Sequence, residues 1–528
     1  MHNHVILRPQ MQFRSPPAHK LTVWSESCAP GRTETHHPML RSTGLALVLV
    51  SIAAGTLVAA CGAKKGGSGF ENPAKPRGPD GGALIEGEEG EEGTNPGPFG
   101  EVADAGVPAN PACVKLQCKQ VLCTGPTKTT VSGTIFDPAG RNPLYNVVVY
   151  VPNSTPDPIT DGATCDKCGT LYTGSPVVSA LTGPDGKFVL ENVPVGDAIP
   201  LVIQIGKWRR QITIPSVKQC VDTPMTDVNL MRLPKNRAEG DLPKIAISTG
   251  GADSLECLLP RIGVDPAEFT SGDGPERIHV FQGEGGKATA AVTQKPQTAL
   301  WNDKASLLKF DIVALSCEGA ENGTTKSAAA RQAMQDYTGA GGRVFASHFH
   351  YFWFSQGPAP FPQTASWLPQ PGSGADLGII SGKIDQTFPK GIAFAQWLKN
   401  VNALQTNGTL AIVDAKHNAD VDIGTHKGSQ PWITNAGSPT ATEYFTFNTP
   451  LTVPAEEQCG RVVFSDLHVG AASNDYKAGS LIVPTGCKSG DLTPQEKALE
   501  FMLFDLSSCL LPDSVPPTPP PPPPPPAR

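Results

Sequence analysis

"GGRVFASHFHYFWF", residues 341–354, sets a short apolar run, RVFAS, between a glycine pair and an aromatic segment holding His348 and His350. Strands buried on both faces read as continuous apolar runs rather than as alternations, so RVFAS is expected to be such a strand. Ahead of it, SAAARQAMQDYTGAGG (327–342) carries good helix formers and a glycine-rich stop. Further runs of the same kind stand at KIAIST (244–249), RIHVF (277–281), FDIVALS (310–316), TLAIVDA (409–415) and RVVFSD (461–466). TPQEKALEFMLFDLSSC (493–509) opens on Thr493 as N-cap, Pro494 at the first helical position and Glu496 three residues on, a capping box. Alternating strands and helices point to a doubly wound parallel sheet, flavodoxin-like in class, over residues 241–511.

The residues just past each strand are the informative ones. KIAIST runs into Gly250-Gly251-Ala252-Asp253, and FDIVAL into Ser316-Cys317-Glu318-Gly319. RVFA runs into Ser347-His348-Phe349-His350, and RVVF into Ser465-Asp466-Leu467-His468. In a parallel sheet these carboxyl ends share one edge, where such folds bind ligands. Four polar tips make a crevice there plausible.

Residues 336–350 and 460–469, "DYTGAGGRVFASHFH" and "GRVVFSDLHV", resemble the ThuA-like proteins of the class I glutamine-amidotransferase-like superfamily. The resemblance implies a site along the strand tips. It also implies a departure: the superfamily's nucleophile sits in a glycine-rich elbow, and here Phe345 and Phe349 flank Ser347-His348, which disfavours glutaminase chemistry. Three readings of the tips stay open, and the third, a non-catalytic binding module, is the function expected, with a hydrolase as the alternative. His348, His350 and His468, with Asp466 or Glu318, offer nitrogen and oxygen ligands that zinc accepts, the two histidines at i and i+2 sharing a strand face. Alternatively Ser347 or Cys317 is a nucleophile activated by His468 and a carboxylate, in a hydrolase of saccharides or amides. In the third reading the tips are hydrogen-bonded structure in a binding module, with Cys317 a buried, inert thiol. No cofactor beyond zinc is implied. FQGEGG (281–286) lacks phosphate-loop spacing and reads as a turn.

Residues 128–233 read differently. TTVSGTIFD (129–137), NVVVYVP (146–152), KFVLENVP (187–194), IPLVIQIG (199–206) and RQITIP (210–215) are short β-branched runs bounded by DPAG and GPDGK turns. Strands so spaced, without helices, suggest a β-sandwich over 111–235. VSGTIFDPAGRNPLYNVVVYV with ALTGPDGKFVLENVPVG resembles the carboxypeptidase regulatory-like, transthyretin-like domain. That resemblance brings a carbohydrate-binding-like fold class, for which Tyr145, Tyr150 and Trp208 are the available stacking aromatics. KWRR (207–210) is either a basic docking patch or charged edge-strand residues.

The flanks bear on location. MLRSTGLALVLVSIAAGTLVAACG (39–62) has Arg41, an uncharged run from Gly44 to Ala60, then small residues before Cys61, a secretory leader over 39–60. Val58-Ala59-Ala60-Cys61 resembles the bacterial lipobox, which implies a lipid on Cys61, a membrane anchor, and an outer-membrane or cell-surface protein. Residues 1–38 are His- and Pro-rich, unlike a leader, and are expected to be an extension of the gene model. Residues 61–110, with EGEEGEEG at 86–93, read as a disordered acidic tether, and 512–528 as a polyproline tail. The net charge of −7 on 528 residues speaks against a nucleic-acid partner. Glycans or envelope proteins are the expected partners.

Thirteen cysteines fit an oxidising compartment. Beyond Cys28 and Cys61 they fall into a group of Cys113, Cys118, Cys123, Cys165, Cys168 and Cys220, and a group of Cys257, Cys317, Cys459, Cys487 and Cys509. Disulfides are expected, Cys459 and Cys487 among them, with one thiol of the second group left over. A zinc site in the first group is disfavoured, since no histidine lies between 62 and 278.

Overall fold

Ten strands form one mixed sheet among the residues that the computed structural model describes, which are 113–290, 294–368, 376–437, 440–469 and 482–521. The expected leader at 39–60, Cys61, the tether at 61–110 and the last residues of the tail lie outside them. The strands are β1 Ile245–Ser248, β2 Phe269–Ser271, β3 Ile278–Phe281, β4 Ile312–Leu315, β5 Arg343–Ser347, β6 Gly378–Ile384, β7 Leu410–Ala415, β8 Ser429–Asn435, β9 Thr442–Thr449 and β10 Gly460–Ser465. Their order is β7-β6-β8-β9-β10-β5-β4-β1-β3-β2. From β10 to β2 every neighbouring pair is parallel. From β7 to β10 every pair is antiparallel.

The expectation of a wholly parallel sheet is therefore corrected. TLAIVDA forms β7, which pairs only antiparallel with β6. The apolar run marked a strand, but only Leu410, Ile412 and Ala415 of β7 are buried, and an apolar run does not fix strand direction.

Side chains alternate across the parallel strands into two cores. Ile312, Ala314, Phe345 and Val463 pack with helices α2 (Pro389–Asn400) and α3 (Pro494–Ser507). Val313, Leu315, Val344, Ala346, Val462 and Phe464 pack with helix α1 (Ala328–Gly339) on the other face. Helix α3 begins as its sequence dictates: Thr493 Oγ1 accepts from Glu496 N–H, and Glu496 Oε2 accepts from Thr493 N–H.

Residues 130–225 hold two smaller sheets. One runs in the order Lys187–Glu191, Thr130–Thr134, Asp222–Met225; the other Pro176–Leu181, Val148–Pro152, Gly196–Ile205, Trp208–Val217. Val131 and Leu190 of the first and Val149, Leu201 and Ile214 of the second share one core. That core continues into α3. Tyr145 stacks on Phe501 at 5.9 Å between ring centroids, and Trp208 meets Phe504 edge-on at 5.8 Å. The Trp397 indole N–H donates to the Pro143 carbonyl at 2.6 Å.

The aromatics considered for sugar stacking are thus spent on packing: Tyr150 and Trp208 are fully buried, and Tyr145 lies against α3. KWRR is no docking patch either. Lys207 is buried in an ion pair with Asp311, and Arg209 pairs with Asp241 on the edge strand Trp208–Val217.

Five disulfides occur among the described residues: Cys113–Cys118, Cys123–Cys220, Cys165–Cys459, Cys168–Cys509 and Cys257–Cys487. Two of them cross between the groups that the sequence order suggested. Sequence proximity does not decide which cysteines meet, and the loop at 165–168 folds onto the large sheet. Cys317 is the free, buried thiol.

Two contacts anchor the described part of the proline tail, most of which is exposed. Asp513 is buried against Arg461, and Ser179 Oγ donates to the Pro520 carbonyl at 2.6 Å.

A carboxyl pair spans the seam with α3. Asp137 and Glu500 are both buried and electrostatically linked, and Asn142 Nδ2 donates to Glu500 Oε2 at 2.7 Å. Burial raises Asp137 to about 6 against the pull of Arg141 and Asn142, and it raises Glu500 further, helped by Asp137 and opposed by Asn142 and Lys497. Both groups bind protons more tightly in the folded chain than their unfolded values near 4. The stability they contribute is complete below about pH 4 and is lost as pH rises through the folded values. The urea midpoint is expected to fall from pH 5 to pH 8 by an amount on the order of 2 kcal/mol in stability. Glu500→Gln is expected to flatten that slope; an unchanged slope would show that the pair is not its source.

Candidate functional site

The four tips read from the sequence follow four adjacent strands, β10, β5, β4 and β1, and they meet. Close approach is possible because the loops are glycine at the contacts. A Cβ on Gly250 would lie 2.0 Å from the Cys317 carbonyl oxygen, and one on Gly283 would lie 1.9 Å from that of Thr249. FQGEGG accordingly packs as a turn against the end of β1. Asp253 knots three tips together. Its Oδ2 accepts from Ser347 Oγ at 3.0 Å, while its Oδ1 accepts from the backbone N–H of Ser254 and of Val469, each at 2.7 Å.

At the centre stand Cys317, His348 and His468. Each offers one ligand-type atom, and these three atoms lie within 4.8 Å of one another. Cys317 Sγ is 3.1 Å from His348 Nδ1, and the two imidazole rings are 5.1 Å apart between centroids. Cys317 is 0% exposed, His468 3% and His348 4%. The backbone at His348 has φ +46°, a left-handed conformation that few residues other than glycine adopt. His348 thus occupies the sharp bend where β5 passes into a short 3₁₀ helix, His348–Tyr351, and strain of this kind gathers at functional sites.

His468 is held from behind. Its Nδ1 hydrogen-bonds Asp414 Oδ2 at 2.9 Å, which leaves Nε2 facing inward. Asp414 comes from the end of β7 and also has a left-handed backbone, at φ +61°. Gln495, at the start of α3, joins that strand to the site: it accepts from Val413 N–H and donates to the His468 carbonyl. The Nε2 atoms of His348 and His468 are both buried with no hydrogen-bond partner among the described residues.

The electrostatics separate the two imidazoles. Burial, then the neighbouring His468, drives His348 well below the usual histidine range, so it is neutral. Burial pushes His468 down as well, but the Asp414 hydrogen bond, the Cys317 thiol and the Asp253 charge outweigh it and hold His468 well above that range. Asp414 is pulled below the usual carboxylate range: burial raises it, and the bonds to His468 and Lys416 prevail.

The other sequence candidates sit differently. His350 is not a free ligand, because the Trp353 N–H donates to its Nδ1 at 3.0 Å and its Nε2 bonds the Ser316 carbonyl at 2.8 Å. Burial lowers it to about 4, so it is neutral. The shared strand face expected for His348 and His350 does not exist, since the strand ends at Ser347. Ser347 gives its hydroxyl to Asp253 rather than to a histidine. Glu318 is the anion of a buried pair with Lys326 and accepts from Asn322, so it is structural. Asp466 accepts from Asn418 N–H at 3.1 Å and is raised to about 7 by burial; Glu443 lies beside it and is raised well above its usual range, by burial and then by Asp466. Asp414 was not singled out from the sequence. Its signal was present, an acid at the end of an apolar run, but β7 lies at the far edge of the sheet and only the fold brings it back to His468.

No family model matches the chain. No curated protein matches it either. Among solved structures, a ThuA-like protein from Bacteroides uniformis aligns over 42% of this chain and 80% of its own, at 9% identity and a TM-score of 0.25. Chains from two type II cohesin–X-dockerin complexes of Acetivibrio cellulolyticus align over 24% and 26% of this chain and 78% and 85% of theirs, at 18% and 17% identity and TM-scores of 0.14 and 0.15. At such scores the likenesses carry no chemistry, and the site stands on its own residues.

Proposed function

We propose that this is an exported hydrolase, lipid-anchored through Cys61 at an outer membrane or cell surface, with the strand-tip crevice as its reaction centre. The observation that carries the reading is the gathering of Cys317, His348 and His468, with Asp414 behind His468. Hydrolysis of an amide or a saccharide needs an activated nucleophile beside groups that position and move protons. A thiol, two imidazoles of opposite electrostatic bias and an orienting carboxylate are groups of that kind. Five disulfides among the described residues support an oxidising compartment. In the same reading the parallel block is a flavodoxin-like, doubly wound core, supported by parallel pairing and by helices on both faces. The smaller sheets are a regulatory-like sandwich.

The near-complete burial of the three central side chains favours a second reading, a binding module for a glycan or an envelope protein whose crevice is structural. A panel of chromogenic amides, esters and glycosides, tested on the oxidised chain, separates the two. Turnover is expected with at least one class, falling tenfold or more in both His468→Ala and Asp414→Asn. No turnover on any class, or turnover that both variants keep, would remove the hydrolase reading and leave the binding module.

A further inference from the structure

We infer that Cys317, His348 and His468 together hold one divalent ion of the zinc class. This rests on the crevice being the working site and names what completes it. The strongest observation is the pair of imidazole Nε2 atoms, each buried and without a partner among the described residues. A buried donor or acceptor left unpaired is costly, and native proteins rarely leave one without reason. Both belong to residues of the same group, beside a buried thiol whose Sγ lies 3.1 Å from the other ring nitrogen of His348, Nδ1.

The arrangement behind the three donors is also that of a metal site. A histidine ligand commonly gives its second ring nitrogen to a carboxylate, which fixes the ring and its tautomer. Asp414 Oδ2 does this to His468 Nδ1 at 2.9 Å, so Nε2 is the nitrogen left for the ion. His348 reaches the group because of the left-handed bend at the end of β5. Zn–N bonds near 2.0–2.1 Å and a Zn–S bond near 2.3 Å set tetrahedral ligands about 3.3–3.7 Å apart. The three atoms here, within 4.8 Å of one another, need only small rotations to close on an ion.

The donor set selects the ion. One thiolate with two imidazoles suits zinc, and cobalt as its reporter, rather than calcium or magnesium, which take oxygen. Binding releases to solvent the thiol proton and any proton on His468 Nε2 as the sulfur–metal and nitrogen–metal bonds form. Among the described residues no fourth His, Cys, Asp or Glu joins the group. Three protein ligands with an open position is the pattern of catalytic rather than structural zinc. His350 is excluded because both its ring nitrogens are engaged.

The test is elemental analysis of the oxidised, full-length chain, followed by cobalt titration of the metal-free form. One zinc per chain is expected, with cobalt giving the visible bands of a tetrahedral site and a near-ultraviolet thiolate-to-cobalt band. Cys317→Ser should abolish the thiolate band. His348→Ala should weaken binding at least 100-fold, and Asp414→Asn by about 10–100-fold. Circular dichroism and thermal melts of each variant establish that it is folded. A folded wild-type chain that takes up neither metal, or cobalt binding without a thiolate band, overturns the inference. So does an intense thiolate-to-copper band in the protein as isolated, which would assign the site to copper. Metal bound without turnover on any substrate would support this site and remove the hydrolase. Turnover by a protein that takes up neither metal would overturn the site and leave the hydrolase, with Cys317 as the reacting group.

Discussion

Arg461→Met is expected to destabilise the folded chain by about 3–5 kcal/mol, the cost of breaking a buried ion pair from one side. Arg461 extends from β10 and is fully buried. Its guanidinium donates to Asn448 Oδ1 at 2.9 Å, to Asp505 Oδ2 at 2.8 Å and to Asp513 Oδ1 at 2.6 Å. Lys390, from α2, shares the same two carboxylates, at 2.9 and 3.4 Å. Two cations and two anions therefore balance in a dry site joining β10, α2, α3 and the start of the tail. Methionine fills much of the volume but leaves Lys390 to neutralise two carboxylates. Urea unfolding with the disulfides intact measures the loss. Adding Asp513→Asn should recover part of it by removing the surplus anion. A single variant within 1 kcal/mol of wild type, or a double variant no better than the single, would show that charge balance is not what the network provides.

Phe501→Ala is expected to cost about 3–5 kcal/mol, the usual range for emptying a buried aromatic site. Phe501 is the hub of the seam. Its ring lies 4.6 Å from Phe394, 5.4 Å from Trp397 and 6.1 Å from Trp432, and it stacks at 5.9 Å on Tyr145 from the sandwich. The cavity would open on both the large sheet and the sandwich, so neither can collapse into it without losing the other. Leu122→Ala serves as the control, because Leu122 is 94% exposed and its loss should stay within about 0.5 kcal/mol. Equal effects of the two substitutions would mean that the seam contributes little.

The part of this fold that could be read from the sequence is the part that burial alone determines. β1, β4, β5 and β10 are apolar runs because both faces are covered, and their polar ends mark the cluster of Cys317, His348 and His468. The antiparallel extension escaped that reading. β9, TEYFTFNT, is buried along its whole length yet rich in polar groups, and Thr446 among them bonds Trp432 and Asp513. Composition cannot distinguish such a strand from a loop. The two histidines of HFH look equivalent on paper, and one backbone torsion divides them: His348 turns toward Cys317 and His468 while His350 is spent on Ser316 and Trp353. Asp414 depends on an edge strand being brought back beneath the start of α3, a long-range event that no local pattern encodes.

The loop at 165–168 is joined by its two cysteines to residues 459 and 509. The backbone between the last sandwich strand, ending at Met225, and β1, beginning at Ile245, is therefore not the sole covalent path between these parts. A protease that cut there would leave both halves on one molecule, and a pull on either end would be shared between sulfur and backbone. For a protein proposed to stand on a tether outside the cell, the molecule is a closed circuit rather than beads on a string.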